Sequence, residues 1–185
     1  MATETPDYEV IRATDDYELR RYAPYLVAEV DVNGSMRGSG NSGFRILANY
    51  IFGDNRSQTR MNMTAPVESV AASERMNMTA PVESVPAEDG YTYAFVMERR
   101  YTMDTLPLPN DSRIRIVERP ERLMAVTRFS GRMSGNLYEQ KRAELMSALA
   151  RDGIEIVSAP MLARYDAPMV PGFLRRNEIL FEIVE

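Results

Sequence analysis

The feature that most constrains the fold is an order of secondary-structure patterns that occurs twice along the 185-residue chain. A strand pattern at 25–32 is followed by a glycine-rich turn, a helical pattern at 44–52 and two further strand patterns. A second strand pattern at 122–130 is followed by a glycine-containing turn, a helical pattern at 137–151 and two more strand patterns. Two β-α-β-β units predict an α+β protein with one curved sheet and two helices.

The first helical pattern is unusually apolar. Phe44, Leu47, Ala48 and Ile51 fall at i, i+3, i+4 and i+7, which places them on one helical face. A helix of this kind either fills the core or lines a pocket, and the spacing alone leaves both open. The four glycines of segment 33–43 predict a flexible loop before the helix.

Missing residue types exclude several kinds of chemistry. The chain contains no His, no Cys and no Trp. This rules out zinc sites of the Cys/His kind, His-dependent nucleophile systems, thiol redox chemistry and His or thiolate ligation of haem iron. A net charge of −5 argues against a nucleic-acid partner. No signal peptide and no membrane-length apolar run is present, so a cytoplasmic protein is expected.

An 11-residue segment occurs twice, letter for letter. Arg60–Val70 recurs as Arg75–Val85. Each copy has β-prone residues and one proline, which is typical of a short edge strand, and the two strands could pair with each other. The methionines of each copy alternate, so their thioethers could ligate iron or pack in the core.

Four segments together resemble one known family, the SOUL family of haem-binding proteins. They are Tyr17–Tyr22, Gly43–Gly53, the two Met-Thr-Ala-Pro-Val copies and Tyr165–Glu178. The resemblance covers nearly the whole chain. It implies a distorted β-barrel built from two β-α-β-β halves with two flanking helices, related to drug-binding regulatory domains. We expect one domain over 1–185, with halves at about 24–98 and 122–184.

The resemblance also implies a function and a site. The family binds haem and related porphyrins reversibly, as a carrier or buffer and usually without enzymatic activity. Its pocket uses the apolar face of the first helix and the loop before the last strand. In this sequence those positions are Phe44, Leu47, Ala48, Ile51, Met169, Val170 and Phe173.

Haem carries two carboxylates, so a carrier also needs cations at the rim of its pocket. Arg45, Arg56 and Arg175 are the candidates. The iron ligand stays unknown, because no His or Cys exists, although the Tyr50 phenolate is one possibility. The oligomeric state also stays open.

Two other functions remain open. The chain could be an effector-binding module for lipophilic or cationic small molecules. It could also be a small hydrolase in which Glu178, together with a tyrosine, acts as a general base. A salt bridge from Glu178 to Arg175 or Arg176 is the structural alternative to that catalytic role.

Overall fold

The computed structural model describes residues 3–58 and 72–184. Its helices are α1 (Met36–Ile51) and α2 (Gly135–Arg151), and a 3-10 turn covers Gly172–Leu174. The strands are β1 (Tyr8–Ala13), β2 (Glu18–Tyr22), β3 (Tyr25–Asn33), β4 (Asn55–Arg56), β5 (Val82–Ala87), β6 (Gly90–Val96), β7 (Leu108–Pro109), β8 (Arg115–Arg119), β9 (Arg122–Phe129), β10 (Met161–Arg164) and β11 (Asn177–Glu182).

Nine of these strands form one strongly curled antiparallel half-barrel in the order β1-β2-β9-β11-β10-β5-β6-β3-β8, and β4 pairs with β7. The unit β3-α1-β5-β6 and the unit β9-α2-β10-β11 meet at the central β5–β10 pair, where Glu83 lies opposite Ala163. Because both units have the same strand order outward from this pair, an approximate twofold axis passes through it. The predicted α+β fold of two β-α-β-β units is confirmed.

Helix α1 begins earlier than the sequence pattern predicts. Ser35 caps it by accepting a hydrogen bond from the Gly38 backbone N–H, so the loop predicted up to residue 43 is wrong from residue 36 onward. Gly43 allows close packing here, since a Cβ at this position would lie 2.6 Å from the Tyr93 ring. The Ser39 Oγ and the Tyr93 hydroxyl are also 2.8 Å apart. Contact with the sheet therefore outweighs the weak helix propensity of glycine.

The two helices end as expected for glycine at a helix terminus. Gly53 follows α1 with a φ of +129°, and Gly153 follows α2 with a φ of +71°. Both values lie in the region that glycine adopts without strain.

The two faces of the sheet differ in what covers them. We call the face under α1 and α2 the helix face, and the other the opposite face. Strand β11 illustrates the alternation: Ile179 and Phe181 pack in the cluster under α2, whereas Leu180 packs in a separate cluster on the opposite face. Glu178 shares the face of Leu180, because side chains alternate along a strand.

The duplicated segment is described only in its second copy. That copy supplies most of β5, which pairs with β6 on one side and β10 on the other. Both edges of β5 are therefore taken by strands outside the duplication. The first copy and its predicted strand lie outside the described residues.

Within the two described ranges, the structure contains no helix whose length and apolar character would let it cross a membrane.

Candidate functional site

The apolar face of α1 is largely used by the core. Leu47, Tyr50 and Ile51 are fully buried among residues of β3 and β6. Phe44 is 40% exposed, and Ala48 is half-buried against the same cluster. Of the predicted apolar positions on α1, only Phe44 and Ala48 therefore reach toward a surface where a ligand could touch them.

The loop between β10 and β11 presents a cluster of apolar side chains to solvent. Met169 is 87% exposed, Phe173 77% and Leu174 63%, while Val170 is half-buried. The loop backbone is nevertheless hydrogen-bonded to the segment after β9, since the Gly131 N–H donates to the Gly172 carbonyl at 2.9 Å. Exposed apolar patches on a held backbone are typical of interaction sites.

The predicted rim cations lie in three places. Arg45 is exposed on α1, and Arg56 is exposed on β4, where it pairs with Leu108 of β7. Arg175 belongs to the late loop: its Nε donates to the Val170 carbonyl at 2.8 Å, and the guanidinium also binds the Pro168 carbonyl. No hydrogen bond or ion pair among the described residues joins Arg56 to this loop.

One cross-strand row connects Phe44 with the late loop. The Phe44 ring packs edge-on against Phe95 of β6, with 5.3 Å between centroids. Phe95 lies opposite Val82 of β5, which lies opposite Arg164 at the end of β10. Two strand spacings, about 10 Å, therefore separate Phe95 from Arg164, after which the late loop begins.

Arg164 has an unusual environment that the sequence analysis missed. It shares the helix face with Leu162, is half-buried, and its Nε is buried without a hydrogen-bond partner. Burial lowers the pKa of its guanidinium, and only the nearby Tyr93 opposes that shift. Its position two residues from Leu162 is the sequence signal that could have indicated an inward-facing cation.

A second unpartnered polar atom lies nearby on the helix face. Ser84 Oγ is buried and has no hydrogen-bond partner. Ser84 is two residues from Val82, which lies directly opposite Arg164, so Ser84 and Arg164 are diagonal neighbours. Such neighbours are about 7–8 Å apart between Cα atoms, within reach of a long side chain or of one small ligand group.

On the opposite face, by contrast, the buried charge of Glu178 is fully matched. The Glu178 carboxylate is completely buried and accepts hydrogen bonds from Arg20 at 3.0 and 3.2 Å, from Arg176 at 2.7 and 2.9 Å and from the Tyr165 hydroxyl at 2.9 Å. Burial alone would lower the pKa of Arg20, but the hydrogen bond and the charge of Glu178, together with Tyr22, outweigh it and raise that pKa. The predicted salt bridge from Glu178 to Arg176 is present, and Arg20 adds a second.

A small void also lies on the opposite face. Its volume is about 10 Å³, enough for about one water molecule. The Tyr25 hydroxyl donates to Glu83 Oε1 at 2.8 Å, whereas Oε2 is buried without a partner. The void is lined by Pro6, Tyr22, Tyr25, Pro81, Glu83, Arg122, Met124, Met161, Ala163, Tyr165 and Leu180.

Candidate iron ligands are not presented to a ligand surface. The Tyr50 hydroxyl is buried and donates to the Pro107 carbonyl at 2.6 Å. Burial raises the pKa of this hydroxyl, which disfavours the phenolate that would bind iron. Met76 is buried in the core while Met78 is exposed, so this pair does not share one face; Met61 and Met63 lie outside the described residues. Residues 3–58 and 72–184 contain no group of three or more His, Cys, Asp or Glu side chains suited to a metal ion.

Comparison with known proteins gives a family match over nearly the whole chain. The model of the SOUL heme-binding protein family matches residues 3–182. Heme-binding protein 2 from Homo sapiens is 28% identical over 188 residues, which cover 97% of this chain and 85% of that protein.

Solved structures share the fold at low sequence identity. The EcmrR C-terminal domain superposes with a TM-score of 0.62 at 10% identity, covering 96% of this chain and 98% of that one. A structure described as a hydrolase from Listeria innocua superposes with a TM-score of 0.58 at 12% identity, covering 91% of both chains. At these identities the likeness concerns the fold alone.

Proposed function

The chain belongs to the SOUL heme-binding protein family, and from this premise we propose that it binds haem or a related tetrapyrrole reversibly, as a carrier or buffer. Family membership and the likeness to a heme-binding protein support tetrapyrrole binding in general and a binding protein rather than an enzyme. The carrier role and the binding surface are the parts that we add.

The observation that carries the proposal is the exposed apolar loop between β10 and β11. Leaving Met169, Phe173 and Leu174 in water is unfavourable, by about 25 cal/mol for each Å² of apolar surface that could be covered. A flat apolar ligand laid against the loop removes that surface from water. Phe44 and Ala48 of α1 are the proposed second apolar contact.

The residues around this surface fit the ligand's polar groups as well. Porphyrin carboxylates favour guanidinium partners, which bind both oxygens at once. Arg45 and Arg175 are proposed at the rim, with Arg164 between α1 and the loop. Since the void on the opposite face holds about one water molecule, we assign the ligand to the helix face.

The hydrolase alternative has less support. A general base needs a free lone pair within hydrogen-bond reach of its substrate. Both oxygens of Glu178 are already bound by Arg20, Arg176 and Tyr165, and Glu178 does not line the void.

The effector-binding alternative rests on the void beside Glu83, whose unpartnered oxygen and tyrosine walls would suit a cation. The void's volume of about 10 Å³ is too small for a drug-sized molecule, which needs about 300 Å³ or more. Arg122 also lines it and would repel a cation.

Haemin titration of the full chain tests the proposal. We expect a saturable shift of the Soret band, with electron paramagnetic resonance reporting the axial coordination in the same samples. Phe173→Asp should abolish saturation, because a carboxylate then occupies the apolar contact. Absence of a saturable shift with the wild-type chain would overturn the proposal.

The matched control is Val157→Asp. Val157 is also an exposed apolar residue but lies between α2 and β10, outside the late loop. It should bind haemin like the wild type. Equal losses in both variants would indicate a general effect of added charge and would count against the loop as the site.

A further inference from the structure

We infer that Arg164 and Ser84 form a carboxylate-binding site on the helix face, at the junction of the two β-α-β-β units. The inference rests on the proposed function: the carboxylate is that of the bound tetrapyrrole. It assigns the carboxylate contact to a strand residue, whereas the sequence pattern indicated rim arginines on α1, β4 and the late loop.

The position of the pair follows from the sheet register. Glu83 lies opposite Ala163 on the approximate twofold axis. Ser84 follows Glu83 and Arg164 follows Ala163, so the axis relates Ser84 to Arg164. Equivalent positions of the two units therefore place both side chains on the same face, on either side of the axis.

The surroundings of Arg164 supply no negative charge. Val82 and Asn177 lie opposite it on the adjacent strands, and the Asn177 amide is used by the Gly131 carbonyl at 3.0 Å. The Tyr93 hydroxyl is 2.8 Å from Ser39 Oγ and also bonds the Met36 carbonyl. Within the described ranges, no Asp or Glu makes an ion pair or a hydrogen bond with Arg164.

The unpaired guanidinium of Arg164 favours a negatively charged group on a ligand. On the opposite face, Arg119 and Arg122 also have a buried Nε without a partner, but each donates through Nη2, to Glu29 at 2.6 Å and to the Tyr25 hydroxyl at 2.8 Å. Among the described residues, no hydrogen bond or ion pair involves the Arg164 guanidinium or the Ser84 Oγ. Arg164 is half-buried, so part of its side chain lies at the surface although its Nε is buried. A carboxylate accepts both a guanidinium and a hydroxyl donor, and a cation or an apolar group accepts neither.

The test combines two ligands with two protein variants. Haemin and its dimethyl ester differ only in that both carboxylates of the ester are blocked. We expect Arg164→Met to weaken haemin binding by at least about 10-fold and to leave binding of the ester unchanged, as expected for loss of a charge-assisted hydrogen bond. Ser84→Ala should give a smaller loss of the same kind, and Arg164→Lys should restore part of it.

Arg128→Met is the matched control. Arg128 is an exposed arginine of β9 two residues from Val126, which packs on the opposite face, and its loss should affect both ligands equally or not at all. A thermal melt of each variant verifies folding, and we expect Arg164→Met to melt no lower than the wild type.

The outcomes separate the two proposals. If the wild type binds both ligands and Arg164→Met weakens both by one factor, or neither, the carboxylate site is overturned while tetrapyrrole binding stands. If neither ligand saturates the wild type, the proposed function is overturned and the carboxylate site with it.

Discussion

Glu178 and Arg164, two charged side chains on opposite faces of the same sheet, have contrasting surroundings. On the opposite face, Glu178 is enclosed by Arg20, Arg176 and Tyr165, and each of its oxygens accepts at least two hydrogen bonds. On the helix face, Arg164 lies beside Ser84, and the buried polar atom of each has no partner. The faces are separated by a single residue along β10 and share the same strands.

The difference supports a structural role for Glu178 and makes Arg164 a candidate for ligand binding. A buried charge is tolerated when ion pairs and hydrogen bonds replace its hydration. Glu178 meets that condition within the chain, so its environment accounts for its presence. Arg164 does not, and an unsatisfied group that a fold retains is a candidate for function.

The largest expected effect is the loss of stability when Glu178 on the opposite face is removed. Glu178→Ala should lower the free energy of unfolding by about 3–5 kcal/mol, because it removes the buried carboxylate partner of Arg20 and leaves only the partly exposed Glu18 carboxylate at the Arg20 Nε. Urea unfolding followed by circular dichroism measures the change. Glu182→Ala, on the same strand and face but in no ion pair within the described ranges, should change it by less than about 0.5 kcal/mol. Equal effects of the two substitutions would contradict the structural role assigned to Glu178.

Removing the charge of Arg164 on the helix face should instead raise the free energy of unfolding. Arg164→Met keeps most of the apolar stem and removes the unsatisfied Nε, so we expect the free energy of unfolding to rise by about 1–2 kcal/mol. Arg20→Met is the same substitution on the opposite face and should lower it, since Glu178 then loses its most buried partner. A loss of stability in Arg164→Met comparable to that in Arg20→Met would show that Arg164 has a structural partner after all.

Much of this contrast between Glu178 and Arg164 could not be predicted from the sequence. The doubled order of strands and helices predicted the fold, because hydrophobic periodicity reports element type and sequence order. Periodicity also identified the apolar face of α1, but it does not report what covers that face. Leu47 and Ile51 turned out to be enclosed by β3 and β6, while Phe44 stayed partly exposed.

The errors have specific physical causes. The glycines of 36–43 indicated a loop because their helix propensity is low, and the close approach of the Tyr93 ring explains why Gly43 lies in α1. Arg164 was missed because the absence of a partner is a property of the sheet register, not of the local pattern. The late loop was identified only through resemblance to a family, since its apolar residues have no regular spacing.

The smallest expected effect concerns Glu83, which lies on the opposite face yet has one unpartnered oxygen. Burial raises the pKa of this carboxyl, although Tyr25, Arg119 and Arg122 partly oppose the shift. The folded chain therefore keeps a proton that the unfolded chain loses near pH 4.3. The resulting stability is fully present below that pH and declines as the pH rises through the folded pKa.

Glu83→Gln removes this titration and keeps an acceptor for Tyr25. We expect the variant to match the wild type at pH 4 and to exceed its free energy of unfolding by about 1 kcal/mol at pH 8. Urea unfolding at a series of pH values measures the difference. A constant offset between the two proteins at every pH would mean that Glu83 keeps its ordinary titration, and that its unpartnered oxygen, unlike the Arg164 Nε, is satisfied by water.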